Sequence, residues 1–305
     1  MHDIIIVGGG PAGLTSAIYA LRAGKSVLVI EKNGFGGQIA YSPKVENIPG
    51  TLLISGTEFA DRLTDQVMAL GADVELETVV NVEVDGDVRR VTTEEGGVYK
   101  AKAVILALGV QHRMLGLPGE QELIGKGLSF CAVCDGAFYS GQDTAMIGGG
   151  NSALQEALLL SEVCRKVTVV QNLADFTGEK KLADALVQRD NVEVIFSTVV
   201  AEYLSENGEL TGLRLRSEVD GSEREIAVNG AFLAVGLMPE NGPFAPVADL
   251  NGWGYFDSGE DCTTRTPGVF VAGDCRSKGI RQVTTAAGDG AVAAMAAARY
   301  IDGLN

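Results

Sequence analysis

Residues 3–13 read Asp-Ile-Ile-Ile-Val-Gly-Gly-Gly-Pro-Ala-Gly (DIIIVGGGPAG), and this stretch decides the fold. Asp3 to Val7 is a short, β-branched apolar run, the composition of a buried strand. Gly8, Gly10 and Gly13 follow with the spacing G-x-G-x-x-G, and after this turn a helical stretch runs through Ala23 before Gly24 stops it. Ser26 to Ile30 supplies the next strand, which ends at Glu31. In such a βαβ unit one glycine turns the chain, one admits a pyrophosphate against the backbone, and one lets helix and strand pack closely. The acid at the end of the second strand can accept hydrogen bonds from a ribose. A glycine turn alone signals only a tight turn. Here strand, helix and acid agree, so the unit reads as a dinucleotide site.

Beyond Glu31 the pattern departs from the shortest unit of this kind. Gly34 to Gly50 (GFGGQIAYSPKVENIPG) is a loop rich in Gly and Pro, of a kind that can wrap a flat ring system. The middle of the chain then repeats the arrangement. Asp143 to Ile147 is a strand, Gly148, Gly150 and Ala153 fit G-x-G-x-x-A with Asn151 and Ser152 between, Leu154 to Val163 is helical, and Val167 to Val170 is a strand. Aligning the two units on their first glycines puts Gln171 where Glu31 stands. Gln171 to Asp175 offers neither a carboxylate for the ribose of NAD nor an Arg pair for the 2′-phosphate of NADP. Lys180 and Lys181, several residues further on, are within reach of a phosphate or else form a solvated helix start, and the donor reading does not rest on them.

Between the two glycine loops lies Cys131-Ala132-Val133-Cys134-Asp135-Gly136. Two cysteines spaced this way can close a small disulfide ring, and neighbouring groups can lower a thiol pKa toward the reactive thiolate. Zinc would need two further ligands, yet Cys164, Cys262 and Cys275 are scattered and the histidines are only His2 and His112. A redox pair is the stronger reading, and no metal is expected. Cys164, Cys262 and Cys275 read as small buried hydrophobes.

With 305 residues the chain is long enough for two domains, and 40 glycines fit its many turns and close backbone approaches. The net charge of −16 argues against nucleic acid and against an anionic membrane surface as partners. No apolar run reaches the roughly 20 residues that span a bilayer. The opening MHDIIIVGGG lacks the features of a signal peptide. A cytoplasmic protein with one catalytic cysteine pair is expected.

Asp73 to Val84 and Val88 to Lys102 alternate apolar and polar residues, as antiparallel strands of an inserted sheet would, and Ala103 to Leu108 reads as a separate buried strand. The second half runs in parallel, with strands expected over 191–202, 210–226 and 231–235. His112 to Pro118 and Pro239 to Pro246 are expected linkers. Gly268 to Asp274 (GVFVAGD) is a strand that returns the chain to the first domain, followed by a helix over 286–300. The fold class is α/β: two Rossmann-like three-layer domains, the second inserted into the first. Residues 1–114 and 244–305 form the first domain and 115–243 the second.

Taken together, GGGPAG, Glu31, GGQ, VENIPG, CAVCDG, GGGNSA and GVFVAGD followed by RQVTTAAGDG resemble the low-molecular-weight bacterial thioredoxin reductases. The match keeps motif order over almost the whole chain. The resemblance implies a homodimeric FAD enzyme with an inserted pyridine-nucleotide domain that carries the CxxC pair. It implies FAD contacts at Gly8, Gly10, Pro11, Ala12, Gly13, Glu31, Gln38, Asn47, Asp274, Arg281, Gln282 and Val283, to which Lys32, Val80 and Gly109 are added. The nicotinamide loop would be Gly148, Gly150, Asn151, Ser152 and Ala153. Cys131 and Cys134 would cycle between disulfide and dithiol, with Cys134 nearer the flavin; spacing alone leaves that polarity open. Asp135 would carry the proton released in thiol exchange, or cap a helix N-terminus.

Two departures from the family matter. Ala107-Leu108-Gly109 stands where Ala-Thr-Gly is usual in the family, and Gln171, Asn172 and Leu173 replace the His-Arg-Arg of NADPH-using members, with Thr177 replacing a further Arg. Gln and Leu cannot supply the charge of a guanidinium on a 2′-phosphate. The expected activity is electron transfer through FAD to the Cys131–Cys134 disulfide and on to thioredoxin or a similar protein, with NADPH use weak or absent. NADH or a reduced ferredoxin is the alternative donor. A flavin redox sensor or complex subunit without turnover is a different class, and the intact CxxC with its neighbouring Asp counts against it.

Overall fold

The computed structural model describes residues 1–42 and 45–304. Pro43 and Lys44, inside the expected 34–50 loop, and Asn305, at the end of the expected first domain, lie outside the described residues. Two compact units divide the chain. The first takes Met1–Ala40, Val45–Gln111 and the segment from Met238 onward, and the second is built on His112–Leu237.

The first unit begins with β1 (His2–Val7), α1 (Pro11–Arg22) and β2 (Val27–Glu31). Ile4 and Ile6 join one core cluster while Ile5 and Val7 join another, because successive strand side chains point to opposite faces. Both faces of β1 are therefore covered, which is why this strand is an unbroken apolar run rather than an alternating one. Helix α2 (Gly56–Ala69) starts at Ser55, whose hydroxyl accepts the Glu58 N–H. Strand β3 (Asp73–Leu76) then pairs parallel with β2. The antiparallel expectation fails for this segment: its alternation reflects an edge strand with one wet face. Strands β4 (Val79–Asp85) and β5 (Val88–Thr93) make the antiparallel meander.

Strand β6 (Val98–Leu106) corrects the expectation of two separate strands. Its beginning pairs antiparallel with β5, and from Ala101 onward it pairs parallel with β1. One long strand thus belongs to both parts of the sheet. Strand β7 (Gln111–His112) marks the crossover to the second unit.

The second unit contains α3 (Glu120–Leu123), β8 (Leu128–Ser129), α4 (Ala132–Asp135), β9 (Asp143–Ile147), α5 (Asn151–Val163), β10 (Lys166–Val170), α6 (Lys180–Val187) and β11 (Val192–Ile195). The expected strand over 191–202 is in fact β11 and β12 (Thr198–Glu206), broken where Ser197 takes a positive φ of 48°. The segment 210–226 likewise splits into β13 (Glu209–Ser217) and β14 (Glu223–Ala227). Strand β15 (Gly230–Leu233) completes a parallel sheet in the order β11-β10-β9-β15-β8, while β12, β13 and β14 form their own antiparallel sheet. Strand β16 (Leu237–Met238) pairs with β7 at the return crossover.

Back in the first unit, β17 (Val269–Val271) pairs parallel with β6, and α7 (Val283–Asp302) closes the chain. The parallel order β3-β2-β1-β6-β17 therefore repeats as β11-β10-β9-β15-β8. Small residues let α7 lie close to α1: the Ser16 hydroxyl donates to the carbonyls of Ala12 and Gly290, and Ala293, Ala294 and Ala297 are buried against it. This contact ties the last helix to the one that follows the first glycine loop.

Candidate active site

In the first unit the turn from β1 into α1 leaves backbone donors free. Gly10 is the N-cap of α1 without a side-chain hydrogen bond, and Pro11 occupies the first helical position. Gly8 has a φ of 107°, and a Cβ at Gly13 would stand 1.8 Å from the Gly8 carbonyl oxygen, so both positions require glycine. Glu31 fixes the loop from the end of β2: its carboxylate accepts the Gly9 N–H at 2.6 Å and the Asn33 N–H at 3.0 Å. Lone pairs remain on it for ribose hydroxyls.

Asp274 comes to the same place. It lies in a 3-10 turn after β17, where a Cβ at Gly273 would stand 2.8 Å from the Ala12 side chain. Its Oδ1 is buried without a hydrogen-bond partner, with Lys278 Nζ 3.9 Å away. Burial pushes the Asp274 carboxyl above its ordinary pKa, while Lys278 and Arg281 pull it back. Arg281 donates to the Asp274 carbonyl at 3.2 Å and lies 4.3 Å over the Tyr255 ring. Asn47 donates to Gln282 at 3.1 Å, Gln282 caps α7, and Val283 packs against Ile39, Val45 and Ile54. The Gln38 amide lies 3.5 Å from the Val110 carbonyl, Gly109 turns with a φ of 65°, Lys32 is held by Glu240 at 2.5 Å, and Val80 is exposed on β4.

An open helix N-terminus, a carboxylate at the strand end and an unpartnered buried carboxylate oxygen suit a flavin dinucleotide. The helix end can take the pyrophosphate, Glu31 a ribose, and Asp274 a hydroxyl donor.

The loop from β9 to α5 in the second unit has the same backbone form and different neighbours. Gly150 again caps its helix without a side-chain bond. Gln171, however, folds back over the loop: a Cβ at Gly149 would stand 2.5 Å from its amide, which donates to the Asp175 carbonyl at 3.1 Å. It is only 3% exposed, so this neutral side chain is already committed. The N–H groups of Thr177 and Gly178 both donate to the Gly149 carbonyl, and Asn151 exchanges hydrogen bonds with Glu179. Ser152 is exposed and Ala153 buried. Asn172 and Leu173 are exposed, and Lys180 pairs with Asp184 at 3.0 Å. Gln171 to Thr177 presents no guanidinium to a phosphate.

Cys131 and Cys134, also in the second unit, are joined as a disulfide with a Cα–Cα distance of 5.3 Å. Cys131 is the N-cap of α4, and its Sγ accepts the Cys134 N–H at 3.2 Å, a contact that favours negative charge on that sulfur. Asp135 stands at the N-cap of the 3-10 turn Gly136–Tyr139 but its side chain makes no capping bond, which corrects the capping alternative; α4 itself is capped by Cys131. Instead Asp135 Oδ2 accepts the Ser129 hydroxyl at 2.5 Å, and Ser129 Oγ accepts the Cys131 N–H at 3.2 Å. Asp135 Oδ1 is buried without a partner. Burial raises the Asp135 pKa and the Ser129 hydrogen bond lowers it, so the group can hold or pass a proton beside the sulfurs.

Three residues here had no motif to announce them. Ser129 bridges backbone and carboxylate. Glu156, 24 residues beyond Ala132, accepts the Ala132 N–H at 2.9 Å. His112 stacks on Phe130, next to Cys131, with ring centroids 4.5 Å apart, and burial lowers its pKa to about 4. Phe130 lies directly beside a motif cysteine, but nothing local points to its partner. By contrast, burial pushes the Cys262 thiol up to about 11 and the Cys275 thiol up to about 12, and it raises that of Cys164. All three are free, buried thiols, as expected of packing residues.

A dinucleotide cradle in one unit and a disulfide turn beside a second glycine loop in the other define a flavin-type disulfide oxidoreductase. Residues 2–290 match the family described as pyridine nucleotide-disulphide oxidoreductase, and the chain belongs to that family. It is 38% identical over 304 residues to a thioredoxin reductase of Listeria monocytogenes, covering 100% of this chain and 95% of that one. It is 42% identical over 306 residues to a bifunctional thioredoxin reductase/thioredoxin of Mycobacterium leprae, covering 99% of this chain and 66% of the relative. A solved thioredoxin reductase of Streptococcus pyogenes superposes with a TM-score of 0.91 at 37% identity, covering 99% of each chain. The protein is a thioredoxin reductase-like flavoprotein.

Proposed function

We infer that this chain passes electrons through bound FAD to the Cys131–Cys134 disulfide and from there to the disulfide of a thioredoxin-type protein, with NADPH a poor donor or none. The observation that carries this reading is the disulfide framed by Ser129 and Asp135 in a flavoprotein fold. Gly8, Gly10, Pro11, Ala12 and Gly13 would hold the pyrophosphate, Glu31 a ribose and Asp274 the ribitol-pyrophosphate region, with Arg281, Gln282 and Val283 along the flavin and Gln38 and Asn47 as further contacts. FAD supplies the two-electron relay between a donor and a disulfide.

Two electrons and one proton open the S–S bond to a thiolate and a thiol. The outward thiolate, assigned to Cys131, attacks the partner's disulfide and forms a mixed disulfide, and the partner's released sulfur takes up a proton. The Cys134 thiol then gives its proton to Asp135 and attacks Cys131 Sγ, which re-forms the internal disulfide. Asp135 returns that proton to the second departing sulfur, and the partner leaves as a dithiol. Ser129 orients the Asp135 carboxylate through both proton transfers.

The donor reading rests on Gln171. The corresponding Glu31 keeps lone pairs for a ribose, whereas the Gln171 amide is buried and bonded to Asp175. With Asn172 and Leu173 in place of arginines, neither a 2′-phosphate nor a ribose meets its usual reader. This favours a reduced ferredoxin, or NADH bound through its other groups. Among the described residues no helix is long and apolar enough to cross a membrane. A cytoplasmic homodimer is part of the same reading. Anaerobic mixing of the holoenzyme with NADPH, NADH or reduced ferredoxin, followed by flavin absorbance, tests the donor. Slow or absent bleaching is expected with NADPH; rapid, saturable bleaching at micromolar NADPH refutes it.

A further inference from the structure

Glu156 lies on α5, the helix that follows the second glycine loop, and its carboxylate Oε2 accepts the Ala132 N–H at 2.9 Å. Ala132 follows Cys131 directly and is 2% exposed, so this hydrogen bond is made inside the protein, at the start of the redox turn. Chain geometry then limits the distance from Glu156 Oε2 to the Cys131 sulfur to roughly 8 Å. A neutral acceptor would satisfy Ala132 equally well. A carboxylate also brings a charge next to sulfurs that must alternate between neutral and anionic forms.

We propose that Glu156 is a positioning residue of the redox turn: its carboxyl holds Ala132 in place and, by its own protonation state, sets how readily the reduced pair carries a thiolate. The proposal rests on the reading of Cys131 and Cys134 as the redox pair. The charged groups around Glu156 leave Asp135 as its main electrostatic partner. On β9, Asp143 is held by Arg165 at 2.8 Å; on β10, Lys166 is held by Glu193 at 2.6 Å; on α6, Lys180 is held by Asp184 at 3.0 Å, beside exposed Lys181. On the 3-10 turn after α4, burial and Asp135 raise the Tyr139 pKa to about 12, which keeps that phenol neutral.

Desolvation, opposed by the Ala132 hydrogen bond and reinforced by the Asp135 charge, pushes the Glu156 carboxyl up to about 7. At neutral pH the group is therefore divided between its two forms. Ionised Glu156 repels a thiolate and raises the thiol pKa; protonated Glu156 removes that repulsion. When two electrons and one proton convert the disulfide to a thiolate and a thiol, the new charge on sulfur in turn draws a proton onto Glu156. The proton comes from solvent and returns when the thiolate is consumed by the partner's disulfide. The atoms and electrons of the exchange itself are unchanged.

The test is alkylation of the reduced FAD holoenzyme by iodoacetamide across pH, which needs neither an electron donor nor a thioredoxin. It can thus fail while the redox-pair reading stands, and that reading fails separately if reduction exposes no new thiols. In Glu156→Gln, an acceptor for Ala132 remains and the charge is gone. Alkylation at about pH 8 should be on the order of tenfold faster than in the unaltered protein, and the two rates should converge at about pH 6, where Glu156 is protonated. A ratio that stays constant with pH, or equal rates throughout, overturns the proposal. Asp135→Asn provides the second arm. The inflection should persist in this variant, displaced to lower pH because the Asp135 charge no longer raises it, and its disappearance would assign the ionisation to Asp135 and sink the role of Glu156.

Discussion

Replacing Ser129 by alanine should move the pH dependence of disulfide exchange upward without touching either sulfur. The Ser129 hydroxyl donates to Asp135 Oδ2 at 2.5 Å and accepts the Cys131 N–H at 3.2 Å. The other Asp135 oxygen is already buried without a partner, so Ser129→Ala leaves the carboxylate without this bond. A hydrogen bond to a charged group contributes about 1.5–3 kcal/mol, which corresponds to about one to two pKa units. Burial already places Asp135 above its ordinary value of 3.8, and the Ser129 bond is what pulls it back, so the variant's carboxyl rises further. The sign follows from the raised folded-state value. An acid whose pKa is raised by folding favours the folded state at low pH, and that contribution is lost as pH climbs through the folded value. Ser129→Ala should therefore fall further below the unaltered protein in melting temperature as pH increases. At pH below the ordinary Asp range, the remaining loss is the unpaired Cys131 N–H, about 1–3 kcal/mol. Single-turnover exchange of the reduced enzyme with a thioredoxin disulfide gives the kinetic readout. The inflection assigned to Asp135 should shift up by about one to two pH units. A folded, FAD-loaded variant whose profile overlays that of the unaltered protein refutes the assignment of Asp135 as the proton carrier.

Cys134→Ser should abolish thioredoxin reduction while the flavin spectrum stays that of the bound cofactor, because the cradle and the turn are built from separate residues; appreciable residual reduction contradicts the dithiol route. The double change Asn172→Arg and Leu173→Arg places guanidinium groups on the exposed segment after Gln171. Each charge-assisted contact to a phosphate contributes about 1.5–3 kcal/mol, so half-saturation by NADPH should fall at least about tenfold in flavin bleaching, with NADH unaffected. Equal changes for both nucleotides would show that the missing arginines are not what limits NADPH.

Much of the fold is legible because backbone rules write it locally. The strand 143–147, the glycine turns and the helices after them follow from composition and spacing over a dozen residues, and the structure keeps them in place. The errors fall where a segment's partner is decided elsewhere. Asp73 to Leu76 alternates like a meander strand and yet pairs parallel with β2, since alternation reports one exposed face and says nothing of strand direction. Val98 to Leu106 shifts from alternating to fully apolar as its surroundings change from the meander to the central sheet, which a local pattern breaks into two strands.

The site divides along the same line. Cys131, Cys134 and Asp135 stand together in the sequence, and Glu31 is found by its fixed distance from a glycine loop. Ser129 and Glu156 act through backbone N–H groups, and those leave no mark on side-chain composition. The two glycine loops make the point sharply. Both open a helix without a side-chain cap, and in both a residue at or just past the end of the second strand, Glu31 or Gln171, lies against the middle glycine. In the first loop that residue is Glu31, which receives the Gly9 N–H and keeps lone pairs for a ligand; in the second it is Gln171, whose amide is turned to Asp175. A similar backbone turn can thus be kept while the side chain that lies over it changes from a carboxylate to an amide. The glycine signature alone reports the fold, and the strand-end residue reports whether a nucleotide still has something to bind. For this chain the strand-end carboxylate is replaced in the second unit alone, which is why the NADPH titration above is directed at that loop.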